Sequence, residues 1–260
     1  MESRQSLRLV FCRREEKYGI SESQYQAFWE AAAGRLRDEG YGLSRVANLY
    51  YDTGDFLLAR TSIEKPAYKE KLRLRAYGKE DGGPAFLELK KKCGSTVYKR
   101  RLLLDAEETR GFLAGGLLPD KDEQILREIG YVLQHYRLAP KVYLAYDRQA
   151  FVGTKEPDLR ITFDRNLRRR WQDLSLEDRG SRPVFLPDGK SLLMEIKAPG
   201  ALPLWLARLL AELQLYPASF SKYGTVYKMD MAPAVAEKAR RTAAAELAGG
   251  REGAMLCLQA

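Results

Sequence analysis

Three short stretches of this chain place a glutamate and a lysine two residues apart: Glu15 and Lys17, Glu88 and Lys90, Glu195 and Lys197. Side chains of an extended strand alternate between faces, so each pair projects to one side. The segment YKEKLRLRAYG divides in the same way, with Lys69, Lys71, Arg73 and Arg75 on one parity and Leu72 and Leu74 on the other. A chain so patterned is committed to strands with one charged and one apolar face. An open sheet can show its charged face to water. Several such strands curled into a barrel, their apolar faces covered by helices, would instead line a lumen with cations and a few acids. That lumen suits a polyanion and a metal ion.

The charged parity, followed through the remaining strands, adds Arg13, Lys92, Lys99, Arg101, Arg148 and Arg160 to the candidate lumen. The opposite parity carries Val10, Cys12, Leu87, Leu89, Leu102, Leu104, Leu192, Met194 and Ile196. A dry interior cannot hold so many unpaired cations, because each would cost several kcal/mol to desolvate. The charged face must therefore meet water, counter-anions or both. On any single strand, mixed Lys and Glu read more readily as a solvated sheet face. Recurrence from strand to strand, with arginines where planar phosphate recognition would use them, weighs against that.

The balance of 44 Lys+Arg against 35 Asp+Glu gives a formal net charge of +9, which attracts nucleic acid, anionic lipid or phosphorylated metabolites. Three cysteines (Cys12, Cys93 and Cys257) without CxxC spacing indicate neither a zinc knuckle nor a disulfide framework. The opening MESRQSLRLVF lacks the apolar stretch and cleavage site of a signal peptide. The most apolar run, Leu202 to Leu215, is short and interrupted by Arg208 and Glu212, so no membrane span is expected. A cytoplasmic location follows as the expectation. His135 is the only histidine, which leaves no histidine-based triad to assemble.

Along the chain, 7–18 reads as a strand. Ser21 then reads as a helix N-cap, with Gln24 completing a capping box, and the helix runs to about Asp38. VANLYYDT is a strand, 55–63 a short helix, and 68–77, 86–92 and 97–104 a meander split by glycine turns. Helices occupy 105–137, strands return at 141–152, 159–167 and 191–198, and 199–228 is mainly helical. Tyr50, Tyr51 and Tyr146 read as core or rim packing, and RNLRRRW (165–171) as a solvated loop. The expected fold is α+β, a closed antiparallel β-barrel of about eight strands with helices packed outside. Its domain is expected to span 1–230, followed by an alanine-rich peripheral tail over 231–260.

RREEKYGIS, ANLYYDT, YKEKLRLRAYG, FLELKKK then VYKRR, YLAYDRQAF, LRITFD, LMEIKA and FSKYGT follow one another in an order that resembles the VTC domain. This is the polyphosphate polymerase domain of the vacuolar transporter chaperone complex, a branch of the CYTH-like triphosphate tunnel metalloenzymes. The resemblance covers roughly 8–228 and implies an eight-stranded tunnel that binds a triphosphate. By that likeness Lys17, Arg73, Arg75, Lys90, Lys99, Arg148 and Arg160 are phosphate-coordinating, with Ser221 and Lys222 on the terminal helix. Lys71 and Lys197 join the substrate-binding set from parity. Glu195 resembles the family's metal-binding glutamate, and Glu15 and Glu88 are further candidate ligands. The superfamily often opens with Glu-x-Glu-x-Lys, and here Arg13 takes the first position. This thinner set of acids points to a polymerase over a two-metal triphosphatase.

The implied activity is metal-dependent transfer of the γ-phosphate of ATP to a growing polyphosphate chain. Arg73, Arg75, Lys90, Arg148 and Arg160 carry the catalysis, and Mn²⁺ or Mg²⁺ is the cofactor. The expected partners are ATP and inorganic polyphosphate or phosphate, without specific nucleic acid. A hydrolase on the same scaffold and a non-catalytic polyanion-binding module are the alternatives.

Overall fold

The computed structural model describes residues 13–78, 83–94, 96–119, 124–186 and 188–234. In chain order the elements are β1 (Arg13–Ile20), α1 (Glu22–Ala31), β2 (Leu36–Asp38), β3 (Ser44–Asp52), α2 (Leu57–Glu64), β4 (Tyr68–Tyr77), β5 (Ala85–Cys93) and β6 (Thr96–Leu104). There follow α3 (Ala106–Gly115), α4 (Gln124–His135), β7 (Ala139–Gly153), β8 (Arg160–Arg170), β9 (Arg182–Pro183), β10 (Leu192–Pro199), α5 (Leu204–Glu212) and α6 (Lys222–Asp230).

The strands form one antiparallel sheet in the order β1-β10-β8-β7-β3-β4-β5-β6, with β2 pairing β7 and β9 pairing β8. Its apolar face is covered from outside in two places. Leu72, Leu74, Leu87, Leu89, Leu102 and Leu104 meet Phe112 of α3 and Leu126, Ile129 and Val132 of α4. At the other end Tyr18, Ile161, Phe163, Met194 and Ile196 meet Phe28 of α1 and Leu206, Leu209 and Leu210 of α5. Capping boxes start two of these helices: Ser21 with Gln24 for α1, and Asp105 with Glu108 for α3. Each satisfies backbone N–H groups that the first turn leaves without partners.

Two expectations about the barrel are corrected. First, it is not closed. β1 and β6 are the two ends of the strand order and share no ladder among the described residues. The edge of β1 is met instead by the segment leading into α6, where the Ala218 N–H donates to the Lys17 carbonyl at 2.7 Å. Second, the helices are not all outside. Tyr223, Val226 and Tyr227 of α6 pack with Val46 and Tyr50 of β3 and with Val142, Leu144 and Tyr146 of β7. In register these strand positions lie on the charged, concave face. The interior of an eight-stranded barrel is only wide enough for side chains, so a sheet that admits a helix must open.

Asp52 ties this third core together. Its buried carboxylate accepts from the backbone N–H groups of Thr53, Leu58 and Ala59 and from the Tyr223 hydroxyl at 2.6 Å. One side chain thus caps α2 and anchors α6.

The 165–171 run is not a solvated loop. Most of it lies in β8, where Arg168 pairs with Asp147 at 3.1 Å and also with Asp178, and Arg169 grips Asp230 of α6 through Nε and Nη2 at 2.7 and 2.8 Å. Arg170 donates to the carbonyls of Gln172, Asp173 and Glu177, each at 3.0 Å. The helix expected to reach Asp38 stops at Ala31, because β2 pairs with the end of β7. Most of the expected tail, from 235 onward, lies outside the described residues.

Candidate functional site

The wall built by β4, β5 and β6 presents its charged parity in rows. Register sets Arg75 beside Phe86 and Phe86 beside Leu103. The next row is Arg73, Glu88 and Arg101, and the next Lys71, Lys90 and Lys99. Glu88, expected among the metal-binding acids, has both oxygens against cations. Arg73 reaches Oε2 with Nε and Nη2 at 2.8 and 2.7 Å, while Lys99 Nζ and Arg101 Nε lie 2.8 and 3.0 Å from Oε1. Burial alone would raise the Glu88 pKa, but Arg73, Arg75 and Lys99 hold it at about 2. Arg75 Nε donates to Asn48 Oδ1 at 2.7 Å, and Arg73 Nη1 to the Tyr50 hydroxyl at 3.1 Å. These arginines are therefore aimed before any ligand arrives, which is what electrostatic preorganisation requires.

The opposite wall comes from β1, β10, β8 and β7. Glu15, Lys197 and Arg160 form one row, and Lys17, Glu195 and Thr162 the next. Lys197 Nζ lies 2.7 Å from Glu195, and Lys17 Nζ lies 3.4 Å from Glu15. Glu195 is 8% exposed. Burial pushes its carboxyl up, yet Lys197, Lys17 and Lys222 together hold it well below the usual carboxylate range. Arg160 pairs with Glu39 at 2.7 Å. Arg148 holds the buried Asp164 with two bonds of 2.6 and 2.8 Å, and Lys222 reaches the same carboxylate at 2.6 Å. The two walls belong to one concave face, joined where β7 pairs with β3 and β3 with β4.

The N-terminus of α6 meets both walls. Ser221 Oγ accepts from the Gly224 N–H and from Lys71 Nζ, each at 3.1 Å, and Lys17 Nζ donates to the Phe220 carbonyl at 3.2 Å. Tyr223 stacks on Tyr50 with ring centres 4.7 Å apart. A Cβ at Gly224 would come within 3.2 Å of Ile63 and 3.3 Å of Ser221 Oγ, so the glycine permits the close approach of α6. A helix N-terminus brings partial positive charge and N–H donors to the same place.

All fourteen expected site residues thus border one concavity: Lys17, Lys71, Arg73, Arg75, Lys90, Lys99, Arg148, Arg160, Lys197, Ser221 and Lys222 with Glu15, Glu88 and Glu195. Among the described residues no three His, Cys, Asp or Glu side chains gather as a ready-made metal cage. Glu195 and Glu15, on neighbouring strands and each beside a lysine, are the carboxylates that a cation here would use. That fits a hard cation of the Mg²⁺ type, which binds through one or two carboxylates plus substrate phosphates.

Reasoning on the sequence missed Asp164, Asn48 and the hydroxyl of Tyr50. Asp164 was legible, because it shares the parity of Arg160 in LRITFD, and so was Asn48 in ANLYYDT. Tyr50 packs in the core as expected, at 5% exposure, but its hydroxyl also enters the site. His135 stacks on Tyr131 at the end of α4.

Residues 12–229 match the VTC domain family. Subunit 4 of the vacuolar transporter chaperone complex of Schizosaccharomyces pombe is 27% identical over 144 residues, 47% of this chain and 20% of that protein. The match thus spans about a fifth of that relative's length. Among solved structures, a Bacillus halodurans protein assigned to the adenylate cyclases superposes with a TM-score of 0.50 and 13% identity, covering 82% of this chain and 94% of that one. It supports the fold alone. A Pyrococcus horikoshii protein gives a TM-score of 0.45 at 12% identity, covering 84% and 99%.

Proposed function

Because the chain belongs to the VTC domain family, we propose that it is a polyphosphate polymerase that uses ATP. One observation carries the reading. Lys71, Lys90 and Lys99 stand in one row, and burial lowers the pKa of each. Lys99 shares the single carboxylate of Glu88 with Arg73 and Arg101, so cations outnumber acids on this face, and a polyanion relieves the repulsion that the free protein bears.

In this reading Arg73, Arg75, Arg148 and Arg160 cradle the oxygens of the transferred phosphate. Lys17, Lys71, Lys90, Lys99, Lys197 and Lys222 neutralise the charge that spreads over it, and Ser221 offers the start of α6. A terminal phosphate oxygen of the acceptor attacks Pγ in line, the bond from Pγ to the ADP oxygen breaks, and ADP leaves with the electron pair. Such transfer needs positioning and charge neutralisation more than a covalent catalyst. Glu195, with Glu15, would hold a single Mn²⁺ or Mg²⁺, which supplies further neutralisation at the phosphate oxygens when bound. Glu88 serves first as the counter-ion that aims Arg73.

The test is to incubate the purified protein with ATP and Mn²⁺ and to resolve the products by size. Phosphate chains support the proposal. Orthophosphate alone would make the protein a hydrolase, and tight polyphosphate binding without turnover would make it a binding module.

A further inference from the structure

We propose that the outermost row of the β4–β5–β6 wall is a platform for the base of a nucleoside triphosphate. The inference rests on the triphosphate reading of the site and adds to it the end at which the nucleoside lies. The row consists of Phe86 and Leu103 with Tyr77 just beyond Arg75. Tyr77 is 44% exposed and Leu103 54%. Leu103 stands between the buried Leu102 and Leu104, so it points away from the α3–α4 core and onto the concave side. A strand advances about 7 Å for every two residues. The platform therefore sits that far outside the Arg73–Glu88–Arg101 row, and twice as far from the lysine row.

Arg101 is the central piece. Its guanidinium lies 3.7 Å over the Phe86 ring, with Nη2 donating to the Tyr77 hydroxyl at 2.9 Å and Nε 3.0 Å from Glu88. Three neighbours fix the plane, and the side chain remains 38% exposed. Nucleobases stack on aromatic rings and on guanidinium planes. A polyphosphate strand has no apolar surface and gains nothing from the ring faces of Phe86 and Tyr77 or from Leu103. A nucleotide with its base on this row directs its phosphates inward along Arg75, Arg73 and the lysines. Stacking contacts accept any base, so the platform distinguishes nucleotide from bare polyphosphate and not one nucleobase from another.

The test compares ATP with tripolyphosphate by calorimetry, in the intact chain and in two variants. Phe86→Leu keeps apolar bulk and removes the π face, while Arg101→Lys keeps the charge and removes the plane. Because Arg101 is exposed, its variant tests the proposal even if Phe86→Leu perturbs folding, which thermal melting reports. The expected result is an ATP Kd raised about 5- to 100-fold by loss of a stack, with tripolyphosphate affinity within about twofold of the parent. Equal losses for both ligands, or unchanged ATP affinity, would overturn the platform. So would a parent chain that binds tripolyphosphate as tightly as ATP, although the triphosphate site would stand. A parent chain that binds neither ligand would overturn both readings together.

Discussion

Lys71 and Tyr50 are neighbours on the concave face, and each titrates near pH 8. Burial lowers Lys71 to about 8, helped by Lys17, Lys90 and Arg73. Burial would raise Tyr50, but Arg73, Arg75 and Lys71 bring it down to about 8. A bound polyanion favours the protonated form of both groups and raises both pKa values. Affinity is therefore complete below pH 8 and falls as the pH rises through 8, where Lys71 loses its charge and Tyr50 gains one. Tripolyphosphate binding at pH 8 should take up protons, measured by calorimetry in buffers of different ionisation enthalpy, and Tyr50→Phe should reduce the uptake. Glu195 gives a second prediction. Glu195→Gln should abolish metal-dependent turnover of ATP while tripolyphosphate binding without metal stays the same or tightens, since a negative charge has left the site. Normal turnover in this variant would remove Glu195 from the metal role. Strand parity brought the cations together correctly because alternation is local. The parity of positive charge does not bring out Asp164 and Asn48, whose part is to hold Arg148 and Arg75 still.

At the scale of the element, α6 depends on contacts at both its ends. Arg169 and Trp171 hold Asp230 at its C-terminus, and Asp164, Lys71 and Asp52 hold Lys222, Ser221 and Tyr223 at its start. Removing the Arg169–Asp230 pair by Asp230→Ala should cost about 1.5–3 kcal/mol, the range for hydrogen bonds to charged groups. Urea unfolding measures that cost, and the loosened helix should also weaken tripolyphosphate binding by shifting Lys222. The start of α6 was legible as a family motif, but its position inside the sheet was not read. A cue was present in ANLYYDT, where β3 is buried on both faces from Val46 to Asp52. Strands apolar on both sides are strands covered on both sides. The arginines of 165–171 were misread for the opposite reason. Their partners Asp147, Asp178 and Asp230 lie in other segments, and no local pattern shows them.

At the scale of the molecule, α+β class, antiparallel order and the charged concave face could all be read from alternation and turn chemistry. Closure could not, because it depends on whether the last strand meets the first, and no segment of sequence encodes that. The fold should be linked to its ligand. At tripolyphosphate concentrations about 100 times Kd, unfolding in urea should become harder by about 2.7 kcal/mol. Absence of such a shift at saturating ligand would mean that the anion binds the unfolded chain equally well. Replacing Arg168, Arg169 and Arg170 together by Ala should unfold the protein rather than merely weaken polyanion binding, as circular dichroism would report. The unpaired ends of the sheet have one more consequence. A polymer threaded through a complete ring can leave only by running out to one of its ends. Among the described residues the circle of strand pairing is broken between β1 and β6, with the segment leading into α6 set against the edge of β1. On the proposed function, sideways release of a polyphosphate chain would then require that segment to move, and no strand pairing to break.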